Sequence, residues 1–318
     1  MLCGLMSLAF SFKEAAVATP TRGCSEVEQD ALLAFKANVK DPSNRLASWS
    51  PRIDCCKWSG VVCRSSKASN ATLFQGQLHV VELNLENPNV HTALRGEILS
   101  PSLLNLTRLE RLDLSGNDFE GTPIPHFIGS FQKLKYLELY GSNFSGVIPS
   151  QLGNLSSLYH LGLQSTMDAI PIGSPLDWLS GLSSLRFLDL TFVNLSTVSQ
   201  SWLSVVNMLP SLRELYLFDC NLNHIPSSFS SHLNLTSLLI LEIRYNDFNS
   251  TIPNWLCNLT KLSTLYFDGN SLFGPIPIEI ATLSRLRELY LGGNNLTGSI
   301  PTSIGNLTSL ISLNLFRN

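Results

Sequence analysis

At 318 residues, with 44% hydrophobic and 14% charged residues, the chain has enough apolar material for a continuous core and too little charge for a disordered polymer. Its formal net charge of −3 at pH 7 lacks the basic field that drives binding to nucleic acid phosphates. We therefore expect a folded protein with no nucleic acid partner.

The N-terminus has the features of a secretory signal. An apolar run extends from Leu2 to Phe12, and Ala16-Val17-Ala18 has the small-x-small form of a signal peptidase site. A misassigned start is the alternative, because no Lys or Arg precedes the run. No segment approaches the roughly 20 apolar residues that a transmembrane helix needs. We assign residues 1–23 to a signal peptide and short lead-in, and any membrane anchor would lie beyond Asn318.

Residues 24–78 are predicted to form a cysteine-rich N-terminal cap. Apolar residues at helical spacing from Glu28 to Val39 predict one helix. Four cysteines flank this helix, Cys24 before it and Cys55, Cys56 and Cys63 after it. They allow three disulfide pairings, among which spacing does not choose. A metal site is the competing interpretation, but no histidine lies among them and adjacent cysteines suit zinc poorly. Disulfides would place the chain in an oxidising compartment.

From residue 79 to 318 one pattern repeats about ten times. It is marked by pairs of apolar residues two apart: Leu83/Leu85, Leu112/Leu114, Leu137/Leu139, Leu161/Leu163, Leu188/Leu190, Leu215/Leu217, Leu241/Ile243, Leu265/Phe267, Leu289/Leu291 and Leu313/Leu315. Successive pairs are 24 to 29 residues apart, a period typical of leucine-rich repeats. Each pair predicts a short strand with one buried face. One repeat cannot bury its own apolar face, so the array must stack.

An asparagine follows most strands where the chain turns away, and its amide can satisfy buried backbone groups. This column reads Pro88, Asn117, Ser142, Thr166, Val193, Cys220, Asn246, Asn270, Asn294 and Asn318. Because the column is eroded in the middle, where the spacings are also irregular, we expect altered curvature between about Ser165 and Ser230.

Several repeats continue from the strand as x-G-x-I-P, for example Gly146 with Ile148-Pro149 and Gly274 with Ile276-Pro277. Glycine permits torsions that other residues resist, and proline ends strand pairing by removing a donor. We expect a second short edge strand and a turn there.

Several of these motifs together resemble plant leucine-rich repeat receptors. The repeat form L-x-G-x-I-P resembles theirs from Val80 onward, and the cap run Cys55-Cys56-Lys57-Trp58-Ser59-Gly60-Val61-Val62-Cys63 is similar to their N-terminal domain. The resemblance implies a plant-type horseshoe, an α/β repeat solenoid with a concave parallel β-sheet, and a cap clamped by Cys24–Cys55 and Cys56–Cys63 disulfides.

Three further strings narrow the resemblance: Asp41 to Trp49, Gly121 to Ser130 and Asp177 to Leu182. They resemble receptor-like proteins of the group that includes the tomato receptors for a fungal xylanase. That resemblance implies recognition of an extracellular protein, peptide or glycan in defence or developmental signalling at the plasma membrane. It also implies a co-receptor kinase as a partner, one transmembrane helix and no cofactor.

Two other functions remain open. One is a soluble apoplastic inhibitor of a microbial cell-wall-degrading enzyme, similar to polygalacturonase-inhibiting proteins, and the other is the ectodomain of a receptor kinase. The sequence departs from all three because it ends at Asn318 inside a repeat, without a C-terminal cap. We therefore expect Leu310, Leu313 and Leu315 to form an exposed apolar edge.

Ten N-x-S/T sequons predict glycosylation of a secreted chain. They begin at Asn70, Asn105, Asn143, Asn154, Asn194, Asn234, Asn249, Asn258, Asn295 and Asn306. The alternative is that the repeat itself generates the triplets, since Asn-Leu-Thr and Asn-Leu-Ser recur at one convex position. We expect at least half of them to carry glycans.

No catalytic or metal-binding pattern is present: the six histidines are scattered, and no C-x-x-C, G-x-S-x-G or phosphate-binding glycine loop occurs. We therefore predict that the chain is not an enzyme. Cys3 would leave with the signal peptide, and Cys220 and Cys257 are expected to be buried free thiols.

The solvated face of the strands is the predicted binding surface, because its columns are rich in acidic and aromatic residues, which offer contact area with a polar tip. The alternative is that aromatic residues serve only β-propensity. The candidate ligand-binding residues are Tyr136, Glu138, Phe187, Tyr216, Phe218, Glu242, Tyr245, Tyr266, Asp268 and Tyr290. Tyr266 and Tyr290 are expected to point to solvent, while glycans cover the convex face.

Overall fold

The computed structural model describes residues 23–65, 77–165, 176–227 and 232–318. The predicted signal peptide, Cys3, the Asn70 sequon and Thr166 lie outside the described residues.

The repeats build one continuous sheet, as predicted. Its 11 strands run in chain order, and every neighbouring pair after the first is parallel. The strands are β1 (Val61–Ser65), β2 (Leu78–Asn84), β3 (Arg111–Asp113), β4 (Tyr136–Glu138), β5 (His160–Gly162), β6 (Phe187–Asp189), β7 (Glu214–Tyr216), β8 (Ile240–Glu242), β9 (Thr264–Tyr266), β11 (Glu288–Tyr290) and β13 (Ser312–Asn314). Between them, β10 (Phe273–Gly274) and β12 (Asn295–Leu296) pair as a separate parallel ribbon.

Strands β3 to β9 and β11 each have their central leucine in the core and the residues on either side on the opposite, concave face. Leu112, Leu188 and Leu289 are each 0% exposed, and they lie in one row because the strands pair in register. Leu313 of β13 is 38% exposed, since no described strand covers its far side. The expected exposure is thus found for Leu313, whereas Leu310 and Leu315 are half-buried.

The convex side is formed mainly by short 3-10 helices. They span Val90–Thr92, Pro101–Asn105, His126–Ser130, Ser150–Asn154, Leu176–Gly181, Ser196–Val198, Asn254–Asn258, Ile278–Thr282 and Thr302–Asn306. In five of them the residue before the helix is the proline of the x-G-x-I-P form or its equivalent, as at Pro149 and Pro277. The glycine of that form adopts positive φ, +78° at Gly146 and +76° at Gly274. Among the described residues, the expected second strand forms fully only in the β10–β12 ribbon, with single parallel bridges at Arg95–Asp118 and Pro123–Ser145.

The cap closes the N-terminal end of the stack. Its helix α1 spans Glu26–Ala37, beginning and ending two residues before the predicted segment, because Ser25 and Glu28 form a reciprocal capping box. Glu28 is only 2% exposed, and its carboxylate also accepts a hydrogen bond from the Val80 backbone N–H at 3.2 Å, which joins α1 to the sheet. Trp49 and Trp58 stack at 5.3 Å beneath the helix.

The cysteines pair as the family resemblance implies. Cys24 is bonded to Cys55 and Cys56 to Cys63, with Cα–Cα distances of 5.9 and 5.4 Å. Cys220 and Cys257 are free and buried, as expected.

The asparagine column acts as a hydrogen-bond ladder between repeats. The Asn246 side-chain amide donates to the carbonyl of Leu217 at 2.8 Å, and its Oδ1 accepts from the N–H groups of Cys220 and Leu222. Asn117, Asn270, Asn294 and Asn318 make the equivalent bonds. Where the column is eroded, Ser142 and Cys220 each still donate to a carbonyl of the preceding repeat.

The irregular middle repeats change the convex side without interrupting the sheet. Strands β5 to β8 stay paired residue for residue, but one convex segment becomes a short α-helix, α2 (Trp202–Val206). Trp202, 1% exposed, fills the interior there, and its indole N–H donates to the His224 carbonyl. The altered curvature between Ser165 and Ser230 stays a prediction.

Candidate functional site

The concave face places the ten candidate residues on neighbouring strands or directly after them. Tyr245 is the most accessible, at 57% exposed. Tyr136, Glu138, Phe187, Tyr216, Phe218, Tyr266, Asp268 and Tyr290 are half-buried. Glu242 is the most buried of the ten, at 4% exposed, and the role of all ten as ligand contacts stays a prediction.

An aromatic ladder crosses five consecutive strands, β3 to β7. It consists of Arg111, Tyr136, His160, Phe187 and Tyr216. The Arg111 guanidinium lies 3.5 Å from the Tyr136 ring centroid, and the rings of Tyr136, His160 and Phe187 stack face to face at 4.0 and 4.1 Å. Tyr216 ends the ladder in a tilted contact at 5.4 Å. The register places Arg111, Tyr136, His160 and Phe187 side by side, so the stacked rings rigidify one another. Tyr216 is paired with Asp189 instead and reaches Phe187 diagonally.

Two carboxylates lie beside the ladder, separated by Gly162. Oε2 of Glu138 is 2.8 Å from Nε2 of His160, and the carboxylate extends over the Cα of Gly162, where a Cβ would collide with it. Asp189 is 5% exposed; it accepts hydrogen bonds from the Gln164 side chain and the Thr191 N–H. Burial, with Glu138 and Glu242 nearby, raises the pKa of Asp189 to about 6.

A second aromatic group occupies the C-terminal half of the surface, around Arg244. It consists of two sets of rings in contact at 5.0 to 5.2 Å, with Arg244 between them: Phe192, Phe218 and Tyr245 in one set, and Tyr266 and Tyr290 in the other. The Arg244 guanidinium lies 4.6 Å from the Tyr266 centroid and forms a bidentate salt bridge with Glu242, with both contacts at 2.6 Å. Glu242 therefore holds Arg244 against the rings.

The expectation that Tyr266 and Tyr290 point freely to solvent is wrong in one respect. The Tyr266 hydroxyl donates to Glu288, which raises the pKa of Tyr266 to about 12, with a further contribution from burial. The Tyr290 hydroxyl accepts a hydrogen bond from Ser312 at 3.0 Å. Both phenols are half-buried and tied to neighbouring strands, so the parts of the rings left to a ligand are smaller than expected.

Sequence reasoning missed His160 and Arg111 as members of the site. His160 was counted among scattered histidines, although it occupies the same strand position as Tyr136 and Phe187, one residue before the central leucine. That shared position was the available signal. Arg111 occupies the same strand position on β3 and forms an ion pair with Asp113 at 2.8 Å.

One group of described side chains has the proximity that metal binding needs: Cys24, Asp54, Cys55 and Cys56. Its cysteines are held in disulfides, so their sulfurs are not available as thiolate ligands. The group is part of the cap and lies away from the concave face.

The sequon asparagines lie on the convex side and along the turns that follow the strands. Asn105, Asn143, Asn154, Asn234, Asn249, Asn258, Asn295 and Asn306 are exposed, and Asn194 is half-buried. Asn105, Asn154, Asn258 and Asn306 each end a convex 3-10 helix, so they form one row. Glycan occupancy stays a prediction. Within the described ranges no helix has the length and apolar character to cross a membrane.

Comparison with known proteins agrees with this architecture. Family models match a leucine rich repeat N-terminal domain at residues 25–64, a leucine-rich repeat region at 63–268 and a further leucine rich repeat at 285–307. Receptor-like protein EIX1 of Solanum lycopersicum is 38% identical over 250 residues, which cover 74% of this chain and 23% of that protein. Receptor-like protein 6 of Arabidopsis thaliana is 30% identical over 287 residues, covering 74% and 27%.

Among solved structures, the Arabidopsis receptor kinase HAESA, in complex with the peptide hormone IDA and the co-receptor SERK1, has a TM-score of 0.61 at 29% identity. The match covers 92% of this chain and 42% of that one. The chain spans about a quarter of the length of the curated relatives it matches. From its cap, its in-register repeats and these matches, the chain belongs to the leucine-rich repeat family and resembles an N-terminal ectodomain portion of plant receptor-like proteins.

Proposed function

We propose that the chain is part of the extracellular ligand-binding domain of a plant cell-surface receptor, and that its concave face, from Tyr136 to Tyr290, contacts a peptide or protein ligand. The observation that carries the proposal is the aromatic ladder with the second aromatic group beside it. Together they present rigid rings and carboxylates along one continuous sheet. Aromatic side chains in such positions are frequent binding anchors.

The comparisons support a receptor in general terms. Relatives at 38% and 30% identity are receptor-like proteins, and HAESA, a repeat protein of similar structure, is described in complex with a peptide hormone and a co-receptor. By analogy, a co-receptor kinase is a second expected partner. Membrane attachment of the whole gene product is part of the same proposal.

The stacking geometry favours a peptide over a neutral glycan at the ladder. Sugars bind aromatic rings through the ring faces, but the faces of His160 are covered by Tyr136 and Phe187 at 4.0 and 4.1 Å. The rings therefore offer mainly their edges. Edges with adjacent carboxylates suit the N–H groups and apolar side chains of an extended peptide better than a sugar ring.

The test uses the secreted chain, immobilised and exposed to the peptide fraction of plant extracellular fluid and of a fungal culture filtrate. Bound peptides are identified by mass spectrometry, then synthesised. A Phe218→Ala/Tyr245→Ala variant should bind them about 1 to 3 kcal/mol more weakly, because both rings belong to the second aromatic group.

The matched control is Met208→Ala/Phe273→Ala, whose side chains are 54% and 45% exposed outside the concave face. It should leave peptide binding unchanged. If the control loses binding while the concave variant keeps wild-type affinity, the ligand binds elsewhere and the proposal fails. Thermal unfolding of both variants must remain that of the wild type for the comparison to count.

A further inference from the structure

A row of cations lines one flank of the solenoid, separate from the concave face. The flank consists of the four-residue segments that precede the strands: 107–110, 132–135, 156–159, 183–186, 210–213, 236–239, 260–263, 284–287 and 308–311. We call it the basic flank. Its cations are Arg108, Lys133, Lys135, Arg186, Arg213, Lys261, Arg285 and Arg287, all exposed, and its one carboxylate is that of Glu110.

Backbone hydrogen bonds hold the last residue of each segment in line with the next. The carbonyl of Lys135 accepts from Tyr159 and His160, that of Arg186 accepts from Arg213 and Glu214, and the pattern repeats along the sheet. Neighbours in this line are therefore one strand spacing apart, about 4.8 Å. From Lys135 to Arg287 the line crosses six strand intervals, or about 29 Å.

Most of these charges have no partner within the protein. Glu110 forms salt bridges with Lys135, at 3.1 Å, and with Arg64, at 2.9 Å. Within the described ranges no other cation of the basic flank forms a salt bridge. Arg186 and Arg213 are adjacent like charges, an arrangement that weakens strand pairing. An anionic ligand would relieve this repulsion.

The concave face has the opposite charge, so the chain's net charge of −3 conceals two separate fields. Its strand and adjoining positions carry Glu82, Glu86, Asp113, Glu138, Asp189, Glu214, Glu242, Asp268 and Glu288, against Arg111 and Arg244. Both arginines already pair with acids of that face. A ligand that binds the basic flank must therefore differ in charge from one that binds the concave face.

We propose that the basic flank binds a linear acidic polysaccharide. In this line Lys135, Arg186, Arg213 and Arg287 lie one to three strand intervals apart, with uncharged residues between them. A line of cations at multiples of one short interval matches a polymer that bears a carboxylate on each unit, better than a globular partner with scattered acids. Tyr159, 44% exposed, lies in the same line between Lys135 and Arg186 and offers an open ring to a sugar. Such binding would tether the repeats to an extracellular matrix independently of the concave ligand.

The experiment measures binding of the secreted chain to size-fractionated oligogalacturonate long enough to span the line. An uncharged galacto-oligosaccharide of equal length is the ligand control. We expect oligogalacturonate to bind, to raise the unfolding temperature, and to bind more weakly as salt is added. Arg186→Gln/Arg213→Gln should reduce the affinity by about 3- to 10-fold, the sum of two exposed charge pairs. Arg52→Gln/Lys57→Gln removes two exposed cap cations and should change little.

Three outcomes would overturn the proposal. Equal losses in the flank and cap variants would show that only overall charge matters. Equal binding of the uncharged sugar would remove the role of the carboxylates. If vesicles with anionic headgroups bind as tightly as oligogalacturonate, with the same variant dependence, the flank is a membrane-binding surface instead. The Phe218→Ala/Tyr245→Ala variant should retain oligogalacturonate binding. A failure of the proposed concave site can therefore be distinguished from a failure of the proposed basic flank.

Discussion

Nε2 of His160 lies 2.8 Å from Oε2 of Glu138 on the neighbouring strand, while the His160 ring is held between Tyr136 and Phe187. One side chain thus joins the aromatic ladder to the acidic row. His160→Ala should destabilise the chain by about 2 to 3 kcal/mol, because it removes two ring contacts and leaves Glu138 without its partner. His160→Phe, which keeps the stack, should cost about half as much. Urea unfolding measures both.

His126 provides the control for that prediction because its side chain is exposed on the convex side. His126→Ala should change the unfolding free energy by less than about 0.5 kcal/mol. A similarly small effect for His160→Ala would mean that the ladder contributes nothing to stability.

Asp189 should make stability depend on pH. Its folded-state pKa of about 6 is raised above the unfolded value by burial, so ionisation disfavours the folded state. The stability that the protonated group contributes is fully present below pH 4 and is lost as the pH rises to about 6. A shift of this size corresponds to at most about 3 kcal/mol. Asp189→Asn should therefore be more stable than wild type at pH 7 and equal to it near pH 4.

The pH comparison needs Asp247→Asn, which replaces an exposed carboxylate. That variant should follow the wild-type pH curve. If Asp189→Asn also follows the wild-type pH curve, ionisation of Asp189 does not destabilise the folded state, and the prediction is wrong.

The asparagine ladder predicts a ranking of substitutions. Asn246→Ala leaves the Leu217 carbonyl and two N–H groups unpaired in the interior, and should cost about 2 to 4 kcal/mol. Ser142→Ala removes one hydrogen bond to the Leu114 carbonyl and should cost about 1 kcal/mol. Chemical denaturation of the two variants gives the order, and the reverse order would exclude the ladder as a main source of cohesion between repeats.

The cap disulfides should differ in importance for secretion. Replacing Cys24 and Cys55 together by Ser opens a loop spanning a 31-residue separation and should cost about 3 to 4 kcal/mol, against about 2 to 3 for Cys56 and Cys63. Single replacements should lower the secreted yield further by leaving a free thiol. Cys257→Ala removes a thiol that forms no disulfide and serves as control. Wild-type yield and unfolding temperature for every cap variant would contradict the prediction.

Much of the fold could be predicted because the same sequence pattern recurs in each repeat. The 24- to 29-residue spacing of the leucine pairs determined the parallel sheet and its buried row, and the asparagine column determined where buried backbone groups are satisfied. Helix α1 begins and ends two residues earlier than the apolar spacing predicted, because the Ser25–Glu28 capping box decides where the helix begins.

The sequence by itself therefore determined the stack and the face on which side chains meet solvent, since local alternation and period suffice for these. The disulfide-clamped cap followed from the resemblance of its cysteine motif to a known family. Only the tertiary structure decided how neighbouring side chains use that face. The strand register brings His160 between Tyr136 and Phe187, and the side-chain conformations bring Glu242 against Arg244. The contacts of His160 join residues 22 to 27 positions apart, and that of Glu242 depends on side-chain packing. The alternation of apolar residues along one strand contains no information about either.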